Sequence, residues 1–117
     1  MDADALKART KAFAVRVIRM NAALPRNRAA DIIARQVLRS ATSVGANYRA
    51  ACRARSHREF VAKLGIVVEE SDDTLYWLEL LIEADLMPED RLTELLQEAR
   101  ELTAIFTAAH KTAREKN

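Results

Sequence analysis

Residues 56–81 read SHREFVAKLGIVVEESDDTLYWLELL, and the spacing inside this stretch sets the class of the molecule. It opens on Ser56-His57-Arg58-Glu59, a capping box in which a serine hydroxyl and a glutamate carboxylate satisfy amides that a first helical turn leaves without acceptors. Behind the box, Phe60, Leu64, Val67, Ser71, Thr74, Leu78 and Leu81 step by four and three. That is the period of one helix face turned towards a core.

The same step recurs on both sides. Downstream, a short Ala84 to Met87 connection leads to Pro88, placed as a first helical residue. Leu92, Leu95, Ala99, Leu102, Phe106 and Ala109 follow as the next seam. Upstream, Asn27 is a candidate cap for a seam of Ile33, Val37, Ser40, Val44, Asn47 and Ala51. Before it, Leu6, Thr10, Phe13, Val17, Met20 and Leu24 form another, ended by Pro25. The spacing predicts helices over 4–24, 28–53, 57–84 and 88–113. Short connections between them imply an all-α, up-down-up-down antiparallel four-helix bundle with crossings of about 20°. One domain over 1–117 accounts for the whole chain.

Composition agrees. Of 117 residues, 50% are hydrophobic but only 5% aromatic, and 22 are alanine against two glycines and two prolines. Such a chain favours helices and excludes a sandwich, a barrel or a disordered polymer. The longest stretches free of Asp, Glu, Lys and Arg, Ser40 to Tyr48 and Leu102 to His110, are nine residues each. A bilayer span needs about 20, so no membrane helix is expected. The first residues, with Asp2 and Asp4, do not resemble a secretion signal. A lone Cys52 fits a reducing compartment, and a cytoplasmic location is the expectation.

The net charge of +2 conceals a division. Residues 1–58 carry 13 Lys and Arg against 3 Asp and Glu, a net +10, whereas residues 59–117 carry 6 against 14, a net −8. Segregation of this kind suits a polyanionic partner or charge-complementary self-association. On a helical projection with Arg28 as zero, Arg35, Arg39 and Arg53 fall within about 20° of it and Arg49 about 60° away. They make a stripe of about 35 to 40 Å opposite the apolar seam. Such a stripe can track phosphates. A solvated helix face is the plain alternative, although five arginines with few nearby acids gain little from pairing along the helix.

The third segment is the counterpart. Glu59, Glu69, Glu70, Asp72, Asp73, Glu79 and Glu83 lie away from its seam, and Tyr76 projects among them. With Val61, Gly65, Val68 and Asp72, Tyr76 marks an expected subunit interface. The arginine stripe of one copy would then meet the acidic face of the next, a head-to-tail contact that closes into a ring if the rotation fits. Polar Ser40, Asn47, Ser71 and Thr74 sit on the seams, where hydrogen bonds fix register.

Catalysis finds little support in the sequence. Neither His57 nor His110 stands three residues after a glutamate, as a di-metal bundle requires. No glycine-rich phosphate loop occurs. Consecutive acids at Glu69, Glu70, Asp72 and Asp73 radiate over too wide an arc for one metal ion. Cys52 reads as a small residue near a helix end, and Ser56 as a cap. No enzyme activity and no cofactor are expected.

Three stretches carry a family likeness. Gln36 with Arg39 to Arg49, Ser56-x-x-Glu59-Phe60-x-x-Lys63-Leu64, and Glu70 to Leu81 with its Tyr76-Trp77-Leu78 resemble the bacterial four-helix-bundle proteins related to those encoded by intervening sequences in 23S ribosomal RNA genes. The resemblance runs from about Leu24 to Phe106. It implies a homopentameric ring and no known enzymatic activity. Relatives include accessory proteins of diversity-generating retroelements, whose basic pentamers associate with RNA and a reverse transcriptase. Ala50 and Asp73 stand where relatives often have Glu, and the first makes the surface beside the stripe more basic. RNA or another nucleic acid is therefore one expected partner, held by Arg28, Arg35, Arg39, Arg49 and Arg53. A protein partner scaffolded by the ring is the other.

Overall fold

The structure, a computed structural model, describes residues 2–116. Four helices follow one another: α1 (Ala3–Asn21), α2 (Arg28–Cys52), α3 (His57–Glu83) and α4 (Glu89–Glu115). No strand occurs among the described residues. Each helix packs on its two neighbours in the order α1, α2, α3, α4 and back to α1, and diagonal helices meet through side chains without close backbone approach. The overall extents are 46 × 22 × 21 Å. A 27-residue helix is about 40 Å long, so each of the long helices runs nearly the whole molecule. The short connections at 53–56 and 84–88 then force the chain to reverse, which gives the up-down bundle.

Helix starts follow the sequence closely. Asp2, Asn27 and Ser56 cap α1, α2 and α3 by accepting from the amides of Ala5, Ala30 and Glu59. The box at Ser56 is displaced by one residue from its usual form. Glu59 Oε2 accepts from the Arg55 amide at 3.1 Å.

The ends differ more. The helix expected to reach Leu24 stops at Asn21, because the amides of Ala23 and Leu24 turn back to Met20 and Asn21. Asn21 Nδ2 donates across to the Ala34 carbonyl at 3.2 Å. The turn still delivers Leu24 to the core, 8% exposed. Pro88 is the N-cap rather than the first helical residue, with ψ of 140°, and makes no side-chain cap bond. At its far end α4 runs to Glu115, two residues past the expected limit. There His57 Nε2 donates to the Ala113 carbonyl at 2.8 Å and gives the last turn a partner.

The α3 terminus is a Schellman motif. The Leu86 amide reaches the Leu81 carbonyl and the Asp85 amide the Ile82 carbonyl. Asp85 takes the left-handed conformation that this geometry requires, at φ 57°. Leu86 and Met87 then fold back on the core.

The core lies on the expected seams: Phe13, Val17, Val37, Val44, Leu64, Val67, Leu78, Leu81, Leu92, Leu102 and Phe106 are all at most 2% exposed. Tyr48 joins them, packed on Phe106 with ring centroids 5.1 Å apart. Burial is the main cause that raises its phenol above the ordinary range, and the adjacent Cys52 adds to the shift. Of the four polar seam residues, Ser40, Ser71 and Thr74 are buried. Thr74 Oγ1 meets Ser40 Oγ at 2.9 Å across the α2–α3 interface. Asn47 instead donates to Ser43 of its own helix, so it does not fix register between helices.

The α2–α3 interface is the most extensive and the α1–α4 interface the slimmest. That slim seam is held by a polar fork. Arg9 donates through Nε and Nη2 to both oxygens of Glu98, each at 2.7 Å, and Nη2 also reaches Glu101 at 2.8 Å. The hydrogen bond to Glu98 is the main cause that raises Arg9 further above its already high value. Glu101, held first by Gln97 and then by Arg9, titrates below the usual carboxylate range.

Candidate nucleic-acid interface

The seam residues of α2 fill one side of the helix, so its arginines have only the other side to occupy. Arg28, Arg35, Arg39, Arg49 and Arg53 are all exposed. Arg28, Arg35, Arg39 and Arg49 stand on one continuous 25-residue helix, which sets their spacing without loop freedom, and Arg53 is the C-cap just past its end. Arg39 is paired: its Nη1 lies 2.8 Å from Glu70 Oε2 on α3. Among the described residues the other four have no carboxylate within ion-pairing distance. Four unpaired guanidinium groups and one shared with Glu70 therefore line the outer face of α2.

On the α1 side the stripe borders a groove of about 440 Å³. Its floor is small because α1 and α2 approach closely. A Cβ on Gly45 would stand 3.2 Å from Thr10 Oγ1, and Thr10 is fully buried. Lys7, Lys11 and Arg49 stand around this groove with Thr42, and no acid lines it. The two lysines extend the positive surface from α2 onto α1. Periodicity on α2 alone did not include them; the signal was the absence of acids between Lys7 and Met20.

The acidic residues of α3 divide differently from the expected interface. Asp72 and Tyr76 are exposed, Tyr76 at 54%, and Glu69, Asp73 and Glu83 flank them. Tyr76 is steadied by an edge-to-face contact with Trp77, the ring centroids 5.1 Å apart. Val61 and Val68 are half-buried and pack on the core of their own chain. Gly65 faces α4, where an added Cβ would meet His110 Nε2 at 3.2 Å. The His110 ring thus lies over Gly65 within the protomer. The structure brings Asp72 and Tyr76 together on an open face and leaves the other three along the protomer's own packing.

Among the described residues no group of three or more His, Cys, Asp and Glu is placed to hold a metal ion. No helix among them is long and apolar enough to cross a membrane.

Comparison with known proteins agrees with this architecture. No curated protein matches the sequence. A crystal structure from Bacteroides thetaiotaomicron VPI-5482, of a protein with unknown function from the S23 ribosomal protein family, superposes with a TM-score of 0.86 at 32% identity. The match covers 95% of this chain and 99% of that one. The model of the 23S rRNA-intervening sequence proteins matches residues 5–108. A match over nearly the whole bundle, helices and turns together, places the chain in the 23S rRNA-intervening sequence protein family.

Proposed function

We propose that this protein is a non-enzymatic, ring-forming bundle that binds RNA along α2. The observation that carries the reading is the row of five exposed arginines along α2 and its C-cap, four of them unpaired among the described residues. Guanidinium groups fork onto phosphate oxygens, and a row of them along a straight helix contacts successive phosphates. Such contacts give affinity and register, not base choice. Lys7 and Lys11 widen the same positive surface. The family resemblance supports a homopentamer, and the exposed acidic face around Asp72 and Tyr76 offers a complementary surface for the next copy.

A second reading uses the same arginines for assembly, the ring then scaffolding a protein partner. The Arg39–Glu70 pair favours it, since an α2 arginine already meets an α3 acid inside the protomer.

Arg35→Gln with Arg53→Gln separates the two and leaves that pair intact. Light scattering coupled to size exclusion reads the ring, and titration with a single-stranded RNA across salt concentrations reads the binding. If the arginines touch phosphate, the ring persists and the slope of log affinity against log salt shrinks by about 0.7 per lost contact. Dissociation to monomers supports the scaffold reading. An intact ring with unchanged RNA affinity and slope refutes the phosphate contacts.

A further inference from the structure

Where α2 ends, the linear stripe becomes a pocket. Arg49 from α2, Arg53 at its C-cap, Arg55 from the turn and Lys63 from α3 stand around one concavity of about 440 Å³. Its acid is Glu59, whose Oε2 is occupied by the Arg55 amide. None of the four cations has an ion-pair partner among the described residues. Along the stripe, by contrast, Arg28 and Arg35 are about 10 Å apart on the helix axis. That spacing suits phosphodiesters, which carry one charge each.

Four cations and one carboxylate around a single concavity, a net charge of +3, match a more concentrated charge. A terminal phosphate carries nearly two charges at neutral pH and three free oxygens, and guanidinium groups bind such oxygens in forks. We infer that the pocket at the α2–α3 turn binds a multiply charged phosphate group, the end phosphate of an RNA or a free polyphosphate. Arg55 and Lys63 are the residues that distinguish it from the stripe. The inference deepens the RNA reading and rests on it only for the first of the two ligand sources.

The probe is inorganic pyrophosphate, titrated calorimetrically into the intact protein at low salt. Wild type is expected to bind one per chain. Arg55→Gln with Lys63→Gln weakens this at least about tenfold, and Arg28→Gln with Arg35→Gln changes it less than about twofold. Arg55→Lys with Lys63→Arg keeps the charges and most of the affinity, which separates loss of the site from loss of the fold. The inference fails if pyrophosphate does not bind. It fails equally if both neutralised pairs weaken binding alike, the signature of net charge alone.

Two RNAs of one sequence, with a 5′-phosphate or a 5′-hydroxyl, identify the source. Tighter binding of the phosphorylated strand, abolished by Arg55→Gln with Lys63→Gln, assigns the pocket to RNA ends. Equal binding of both strands, with pyrophosphate still dependent on Lys63, supports a free polyphosphate. Pyrophosphate binding without any RNA binding keeps the pocket and sinks the stripe. RNA binding lost with Arg28 and Arg35, and no pyrophosphate site, does the reverse.

Discussion

The hydroxyl pair between α2 and α3 allows a quantitative test of what holds the bundle's largest interface. Ser40 and Thr74 are both 0% exposed, and their oxygens are 2.9 Å apart. Thr74 Oγ1 also lies 2.7 Å from the Glu70 carbonyl, and Ser40 Oγ 3.3 Å from the Val37 carbonyl. These are three contacts for two protons, so at most two are made at once. Removing one hydroxyl leaves the other a carbonyl of its own helix, and no buried donor is orphaned. Thr74→Val, close in volume, is therefore expected to cost only about 1 kcal/mol, the net value of one hydrogen bond, and Ser40→Ala about the same. In the double variant the cross-helix bond is lost once, not twice, which gives a coupling of about 0.5–1 kcal/mol. Urea unfolding at one fixed protein concentration measures all four corners of the cycle, fixed because assembly shifts apparent stability. A coupling above about 2 kcal/mol would refute the reasoning, since it would mean that one loss strands the partner.

Three further outcomes are expected. Asp85→Gly relieves the left-handed backbone at φ 57° and raises stability by about 0.5–1 kcal/mol. That is about 2 to 4 °C in Tm for a chain of this size by calorimetry, and Asp85→Ala moves it the other way. The Arg9 fork is expected to be pH-dependent. Glu101 has its pKa lowered in the folded state, so its contribution is present above the usual carboxylate range and lost as pH falls through the lowered value. The stability gap between wild type and Glu101→Gln, read by thermal melts, should narrow between neutral pH and acid. Arg9→Met should cost about 1–3 kcal/mol at neutral pH, because it leaves Glu98 half-buried without its fork.

The elements legible in the sequence were those encoded by neighbours three or four residues apart. The capping box at Ser56, the cap at Asn27 and the α3 and α4 seams are local patterns, and the structure reproduces them. The stripe was legible for the same reason, since a helix of known period determines which arginines share a face. Most of what failed depended on partners distant in sequence. Arg9 and Glu98 are 89 residues apart, and no pattern in either helix pairs them. Gly65 reads as part of a subunit interface from its place on α3, whereas α4 brings His110 against it. Asn47 sat on the seam by period, yet its amide found an acceptor one turn back and never crossed the interface. Lys63 and Arg55 lie outside α2, so only the reversal of the chain at 53–56 gathers them with Arg49.

The halves of opposite charge lie in adjacent layers, α1 with α2 and α3 with α4, and so give each protomer a permanent electric moment across its short axis. With net charges of +10 and −8 about 9 Å apart, the spacing of packed helices, that moment is on the order of 400 D. The macrodipoles of the helices contribute little, because antiparallel neighbours cancel. Near a polyanion the moment exerts a torque that turns the α1–α2 layer inward before contact. At physiological salt the screening length of about 8 Å is shorter than the 21 Å thickness of the bundle, and the torque acts only in the final approach. In a closed ring of equal copies the in-plane components of these moments sum to zero. Only the component along the ring axis survives, and it gives the two rims opposite polarity.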